Sequence, residues 1–236
     1  MIDLKTAIQK IKNTNFLDSN IDYETLIKEL GLNLEIKHRL PKSWYPFIKD
    51  WEKYCDCGLR TWQEPKQFGD LLHFLHEYLS NNQINSYLEI GSRHGGTFIW
   101  IDSMLRAFNS NINSYAVDIA IYGETLKAYQ EYTNNINFIK ADSTDPVLWT
   151  KLPNTIDMIL VDGNHAYEYA LADYYNSLYK KPKLILFHDI NNETCPGIIR
   201  LWKEIIEHKT KNIDYYEFIT ENCAYYGIGV YILRQD

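Results

Sequence analysis

No run of apolar residues in this chain approaches the ~20 that a membrane helix needs. Its opening segment, MIDLKTAIQKIK, lacks the apolar stretch of a secretory signal. The expectation is a cytoplasmic protein without a membrane partner. Cysteine is scarce: of the 4 present, Cys55 and Cys57 form a C-x-C pair while Cys195 and Cys223 stand alone. With no C-x-x-C framework, neither a zinc site nor a disulfide scaffold is expected, and the thiols read as reduced side chains. Positive charge is short as well. The formal net charge is -7 and the longest basic stretch is Lys180-Lys181-Pro182-Lys183. A protein that grips nucleic acid by its phosphates usually shows a positive face, so nucleic acid is not the expected partner. Internal repeats and low-complexity tracts are absent too.

What is present is an ordinary globular balance, 45% hydrophobic and 23% charged in 236 residues. That suffices for one substantial core, with or without a small appendage. Residues 1–80 read as helices and loops. Leu4, Ile8 and Ile11 recur at helical spacing, and Asp22 is placed to cap a second helix carrying Leu26, Ile27 and Leu30, ended by Gly31. An irregular aromatic stretch follows, from Pro41 through Trp44, Tyr45, Pro46 and Trp51 to Trp62. It suits a cover over a binding mouth, a dimer surface or packed core alike. Pro65 then opens a helix with Phe68, Leu72, Leu75 and Leu79 on its buried stripe. The polar run Ser80-Asn81-Asn82-Gln83 divides this helical N-terminal extension, 1–80, from a main domain, 81–236.

In the main domain strands alternate with helices. Candidate strands are Tyr87–Ile90, Ser114–Asp118, Asn137–Lys140, Ile156–Val161 and Leu184–His188, with helices such as Phe98–Phe108 and Tyr167–Tyr179 between them. Short strands separated by helices imply parallel pairing. After a helix bearing Ile198, Leu201, Trp202 and Ile205, the stretches Tyr215–Ile219 and Gly227–Leu233 suggest an antiparallel hairpin at a sheet edge. The fold class is α/β, a Rossmann-like and mostly parallel sheet with a terminal hairpin.

The sharpest signal is Y-L-E-I-G-S-R-H-G-G-T-F, residues 87–98. A strand ends in Glu89 and Gly91, and Gly95-Gly96 opens a helix; glycines admit positive φ and let a ligand approach the backbone. The next strand ends in Asp118, an acidic residue that can accept both hydroxyls of a ribose. The third is followed by Asp142-Ser143, a carboxylate and hydroxyl suited to an adenine amino group. Such polar punctuation at successive strand ends favours nucleoside binding, because packing needs no carboxylates there. An NAD-type turn wants G-x-G-x-x-G, but Ser92 stands where the second glycine belongs, and Glu89 would repel a diphosphate while suiting a cationic ligand.

This E-x-G-x-x-x-G turn resembles the first motif of class I S-adenosylmethionine methyltransferases, and the resemblance runs from about residue 63 to 233, its end matching that fold's last two strands. It implies a seven-stranded sheet, with Glu89, Gly91, Ser92, Gly95, Asp118, Asp142, Ser143 and Asp162 lining the S-adenosylmethionine site. Ile159–Tyr167 resembles the D-G-x-H-x-Y strand end of a subgroup that includes cephalosporin-hydroxylase-like proteins and bacterial sugar O-methyltransferases. Leu184–Ile190 and Pro196–Trp202 resemble the same group's fifth strand and following helix. The subgroup's habit of binding a divalent cation implies Asp162 and Asp189 as ligands, with His188 where relatives carry another acidic residue. The chain departs from that pattern at Asn164, where relatives have a second aspartate, and at His188. Three options follow: Mg²⁺ on two carboxylates and waters, a softer ion such as Mn²⁺ or Fe²⁺ using the imidazole, or no metal, with His165 or His188 as an unassisted base.

The expected chemistry is in-line methyl transfer to a hydroxyl of a small acceptor such as a sugar or sugar nucleotide, with His165 as proton acceptor and His188 as the alternative. The rivals are an NAD-type oxidoreductase, a non-catalytic S-adenosylmethionine-binding scaffold, and a partner in the hydroxylation that one family name suggests. A homo-oligomer is left open.

Overall fold

The computed structural model describes residues 1–33, 52–120, 123–208, 213–221 and 225–233. Most of the aromatic stretch, from Pro41 to Trp51, and Cys223 lie outside the described residues. The chain forms two compact units, neither a single stretch of sequence. One comprises Met1–Asn81, His94–Phe108 and Tyr122–Asn134, and the other Asn82–Arg93, Asn109–Ile121 and Asn135–Asp236.

The first unit is helical among its described residues. Helix α1 (Leu4–Lys12) starts where Asp3 accepts the Thr6 amide at 2.9 Å, and α2 (Tyr23–Leu30) where Asp22 accepts that of Thr25 at 3.0 Å. Each cap satisfies an amide that the first helical turn leaves without a partner. Helix α3 (Pro65–Leu79) opens on the expected proline, and α4 (Gly96–Phe108) and α5 (Glu124–Gln130) complete the set. Trp100 of α4 is fully buried, edge-on to Phe16 and Phe68, and its indole donates to Thr61 Oγ1 at 3.1 Å. A buried indole needs such an acceptor.

The second unit carries the sheet. Its strands are β1 (Ser86–Ile90), β2 (Asn113–Asp118), β3 (Ile136–Lys140), β4 (Met158–Val161), β5 (Leu184–His188), β6 (Ile213–Phe218) and β7 (Ile228–Leu233), in the order β3-β2-β1-β4-β5-β7-β6. The first five pair in parallel, while β7 runs antiparallel to both β5 and β6, so the closing strand slots inside the edge strand. Helices α6 (Pro146–Lys151), α7 (Tyr167–Tyr179) and α8 (Pro196–Glu207) belong to this unit. Leu88, Ile159, Ile185 and Phe187 of the strands pack with Ala170, Ile198, Leu201 and Trp202 of the helices in one apolar core. Each such side chain contributes about 1.5–3 kcal/mol by leaving water.

The strand expected over Ile156–Val161 begins two residues later. Ile156 N–H bonds the Lys180 carbonyl instead of a strand, and Asp157 Oδ2 accepts the Asn85 amide at 2.7 Å. The short helices α5 and α6 were not legible, being too brief to show an apolar period. The order reverses between β1 and β4, neighbours in the sheet although β2 and β3 separate them in sequence. Clefts at such a reversal, outside the carboxyl ends of parallel strands, are where ligands bind in open α/β sheets.

Candidate functional site

The turn after β1 is fixed by glycine. Gly91 has φ +84, and a Cβ on it would lie 2.0 Å from the Asp162 carbonyl oxygen, so the ends of β1 and β4 approach only without a side chain there. Gly91 and Ser92 amides both reach the Val117 carbonyl, at 2.8 and 3.3 Å. Gly95, also at positive φ (+86), leaves the space that Leu126 fills. Glu89 is buried and accepts from Tyr87 Oη at 2.6 Å. Burial pushes its carboxyl well above the usual range despite that bond, and the negative Asp162 and Asp118 push it further.

Asp118 splits its carboxylate between two amides, Oδ2 accepting from Arg93 at 2.7 Å and Oδ1 from Ala120 at 2.8 Å. It thereby ties the end of β2 to the glycine turn, and each oxygen keeps a second lone pair. Asp142 turns on itself: Oδ1 accepts the Thr144 amide at 2.9 Å and its hydroxyl at 2.7 Å, which holds the carboxyl below its ordinary value. The Ser143 carbonyl accepts the Trp149 indole at 2.6 Å.

At the ends of β4 and β5 the structure gathers Asp162, His165, His188 and Asp189. His188 Nδ1 lies 3.1 Å from Asp162 Oδ1 and 3.4 Å from Asp189 Oδ2; His165 Nε2 lies 3.5 Å from Asp162 Oδ1 and 3.3 Å from Asp189 Oδ2. Burial lowers both imidazoles, but the facing carboxylates, joined at His165 by the Cys195 sulfur, outweigh it and raise His165 to about 11 and His188 to about 10. Burial would raise the two aspartates, yet the His188 charge wins and holds both below the ordinary carboxylate range. Without a cation, imidazolium neutralises the carboxylate pair. Asp189 adopts φ +62, a strained conformation for a residue with a side chain, and Asn192 Nδ2 donates to its Oδ1 at 2.8 Å. The His188 Nε2 atom is buried without a hydrogen-bond partner.

Asp162, His188 and Asp189 offer ligand atoms all within 4.8 Å of one another, a spacing and donor set that fit a divalent cation. Asn164, the departure from the family pattern, is used in a turn, accepting the Ala166 amide at 3.0 Å.

Two residues escaped the sequence reading. Cys195, taken as a bare thiol, lies with its sulfur 3.2 Å from His165 Nδ1 and 3.8 Å from Asp189 Oδ2. No local pattern announces it, since the contact spans 30 residues of sequence. Asp173 of α7 is wholly buried, neither carboxylate oxygen has a hydrogen bond of ordinary geometry, and burial lifts it to about 6 although the nearby Ser143 hydroxyl pulls the other way. Its Oδ2 fills the space beside Gly163, 3.3 Å from where a Cβ would stand. Here a signal existed: Ala170, Asp173 and Ser177 form the buried stripe of α7, and two of them are polar.

Residues 88–190 match the family model of a methyltransferase domain. Among curated proteins, the chain is 26% identical over 138 residues to a rhamnosyl O-methyltransferase of Mycobacterium bovis, covering 56% of this chain and 54% of that protein. The chain thus spans about half the length of the curated relatives it matches. Among solved structures, it is similar to the O-methyltransferase TomG of Streptomyces achromogenes in complex with S-adenosylmethionine, with a TM-score of 0.54, 14% identity and coverage of 83% of this chain and 91% of that one. It is also similar to an O-methyltransferase from Bacillus cereus in complex with S-adenosylhomocysteine, with a TM-score of 0.51, 15% identity and coverage of 68% and 79%. At these identities the solved structures establish a common fold. No described helix is long and apolar enough to cross a membrane.

Proposed function

We propose that this chain, which carries a methyltransferase domain over residues 88–190, is an S-adenosylmethionine-dependent O-methyltransferase acting on a small hydroxylated molecule, a sugar or sugar nucleotide. The observation that carries the reading is the meeting of Glu89, Asp118, Asp162 and two imidazoles at the carboxyl ends of adjacent strands. The rhamnosyl O-methyltransferase relative supports the acceptor class.

In this reading Glu89 ionises against the ammonium of the cofactor's methionine end, Asp118 takes the ribose hydroxyls, and Asp142 with Ser143 faces the adenine. Methyl transfer breaks the sulfonium C–S bond and forms a C–O bond to the acceptor, whose proton passes to an imidazole of the cluster. That ring must first shed its own proton, which the carboxylates now hold in place. Asp162 and Asp189, with an imidazole as third donor, would hold a divalent cation, which when bound lowers the pKa of an acceptor hydroxyl.

The test is a screen of sugars, sugar nucleotides, phenols and tRNA, read by release of S-adenosylhomocysteine. Turnover of a small hydroxyl compound is expected. Methylation of tRNA alone would overturn the acceptor class, and cofactor binding with no turnover by any acceptor would favour a scaffold. Calorimetry with NAD in place of S-adenosylhomocysteine separates the oxidoreductase rival.

A further inference from the structure

The thiol of Cys195 does not merely pack. It sits at the N-terminus of α8 with its sulfur among an imidazole nitrogen and a carboxylate oxygen, and its amide donates to the Asn192 carbonyl at 2.7 Å. Gly197, in the first turn of the same helix, makes this possible: a Cβ there would lie 2.3 Å from the His165 carbonyl oxygen. The glycine lets α8 press against the loop that carries His165.

We propose that the cation of this cluster is held by His165, Asp189 and Cys195 in place of the set that includes Asp162, a nitrogen–oxygen–sulfur site that takes Zn²⁺ and ions of its class rather than Mg²⁺. Their ligand atoms lie within 4.8 Å of one another. A tetrahedron built on Zn–S of about 2.3 Å and Zn–N or Zn–O of about 2.0–2.1 Å has edges of about 3.5 Å. The two sulfur edges bracket that value, 3.2 Å to His165 Nδ1 and 3.8 Å to Asp189 Oδ2, while the imidazole atom nearest that oxygen is Nε2 at 3.3 Å, so the ring turns slightly for one nitrogen to serve the ion. Asn192 Nδ2 engages Oδ1 of Asp189, which leaves Oδ2 facing His165 and Cys195, the kind of outer-shell bond that orients a ligating carboxylate. A thiolate is a soft donor and favours Zn²⁺ over the hard Mg²⁺. The assignment also divides the two histidines. His165 becomes a ligand, and His188, whose Nε2 has no partner, remains to take the acceptor's proton.

The proposal stands on the cluster and not on methyl transfer, so its test reads the metal. Chelator-treated protein is titrated with Co²⁺, a spectroscopic stand-in for Zn²⁺. A near-ultraviolet thiolate-to-cobalt band is expected, saturating at one ion and erased by added Zn²⁺ but not by Mg²⁺. Cys195→Ser should abolish the band and weaken Zn²⁺ binding by more than the roughly 10–100-fold that loss of outer-shell support costs. Cys57→Ser should leave both unchanged. Should the Cys195 variant not fold, X-ray absorption of the zinc-loaded wild type decides, with a sulfur shell at about 2.3 Å expected. Cobalt binding without the band, or a zinc spectrum of nitrogen and oxygen alone, would overturn the site. Calorimetric binding of S-adenosylhomocysteine, measured in parallel, shows whether the methyltransferase reading survives that failure.

Discussion

Gly91 and Asp162 stand so close that a Cβ on the glycine would lie 2.0 Å from the aspartate's carbonyl oxygen. The glycine turn and the carboxylate cluster are therefore one construction, set by the contact between β1 and β4. Gly91→Ala must both relieve that overlap and hold a side chain at φ +84. The left-handed conformation alone costs about 1–2 kcal/mol. Thermal melting should fall accordingly and S-adenosylhomocysteine affinity should drop with it, whereas an unchanged melting temperature would mean that the strand ends can part freely.

Asp118→Ala should loosen the turn and remove the proposed ribose contact together. A hydrogen bond involving a charged group contributes about 1.5–3 kcal/mol, so calorimetry should show at least that loss of cofactor binding energy. Equal affinity would take Asp118 out of the site.

The histidine–aspartate cluster makes metal-free stability depend on pH. Both imidazoles are raised in the fold, to about 10 and about 11, against about 6.5 when unfolded. Their contribution is complete below pH 6.5 and drains away as pH climbs through 10–11, because the folded chain binds the extra protons. The lowered aspartates act oppositely: their contribution is present above about pH 3.9 and lost as pH falls through their depressed values. In chelator, stability should decline steadily from pH 7 to 9.5, and His188→Gln should flatten the decline. Denaturant melts at four pH values would measure it.

Asp173 is a buried acid whose carboxyl is raised by burial, and its pH dependence is the reverse of that of Asp162 and Asp189. Folded at about 6 and unfolded near 3.9, it favours the fold below about pH 4 and that advantage is lost as pH rises to 6. Two pKa units correspond to about 3 kcal/mol. Asp173→Asn should therefore stabilise the protein at pH 8 relative to wild type, and do so less at pH 5. The same shift at both pH values would mean that the carboxyl is not burdened by its charge.

The sequence by itself determined the fold class and singled out the residues proposed for the nucleoside side of the site. Strand and helix alternation, and carboxylates or glycines closing successive strands, are local patterns that the 3.6 and 2.0 residue periods expose directly. Glu89 with Gly91, Asp118 and Asp142 were legible because they fall at or just beyond the ends of three successive strands, where polarity has no packing reason. Only the tertiary structure decided what faces what. That β7 slots between β5 and β6, that Glu89 is buried beside Tyr87, and that Asp118 is bonded to the Arg93 amide all depend on pairing distant segments. The assembly of Asp162, His165, His188, Asp189 and Cys195 rests on the same cause. These residues come from the ends of two neighbouring parallel strands and the start of a helix, and no sequence period links them. A glycine at 197, where a Cβ would stand 2.3 Å from the His165 carbonyl oxygen, lets the helix that begins at the thiol pack against the loop that carries the ring.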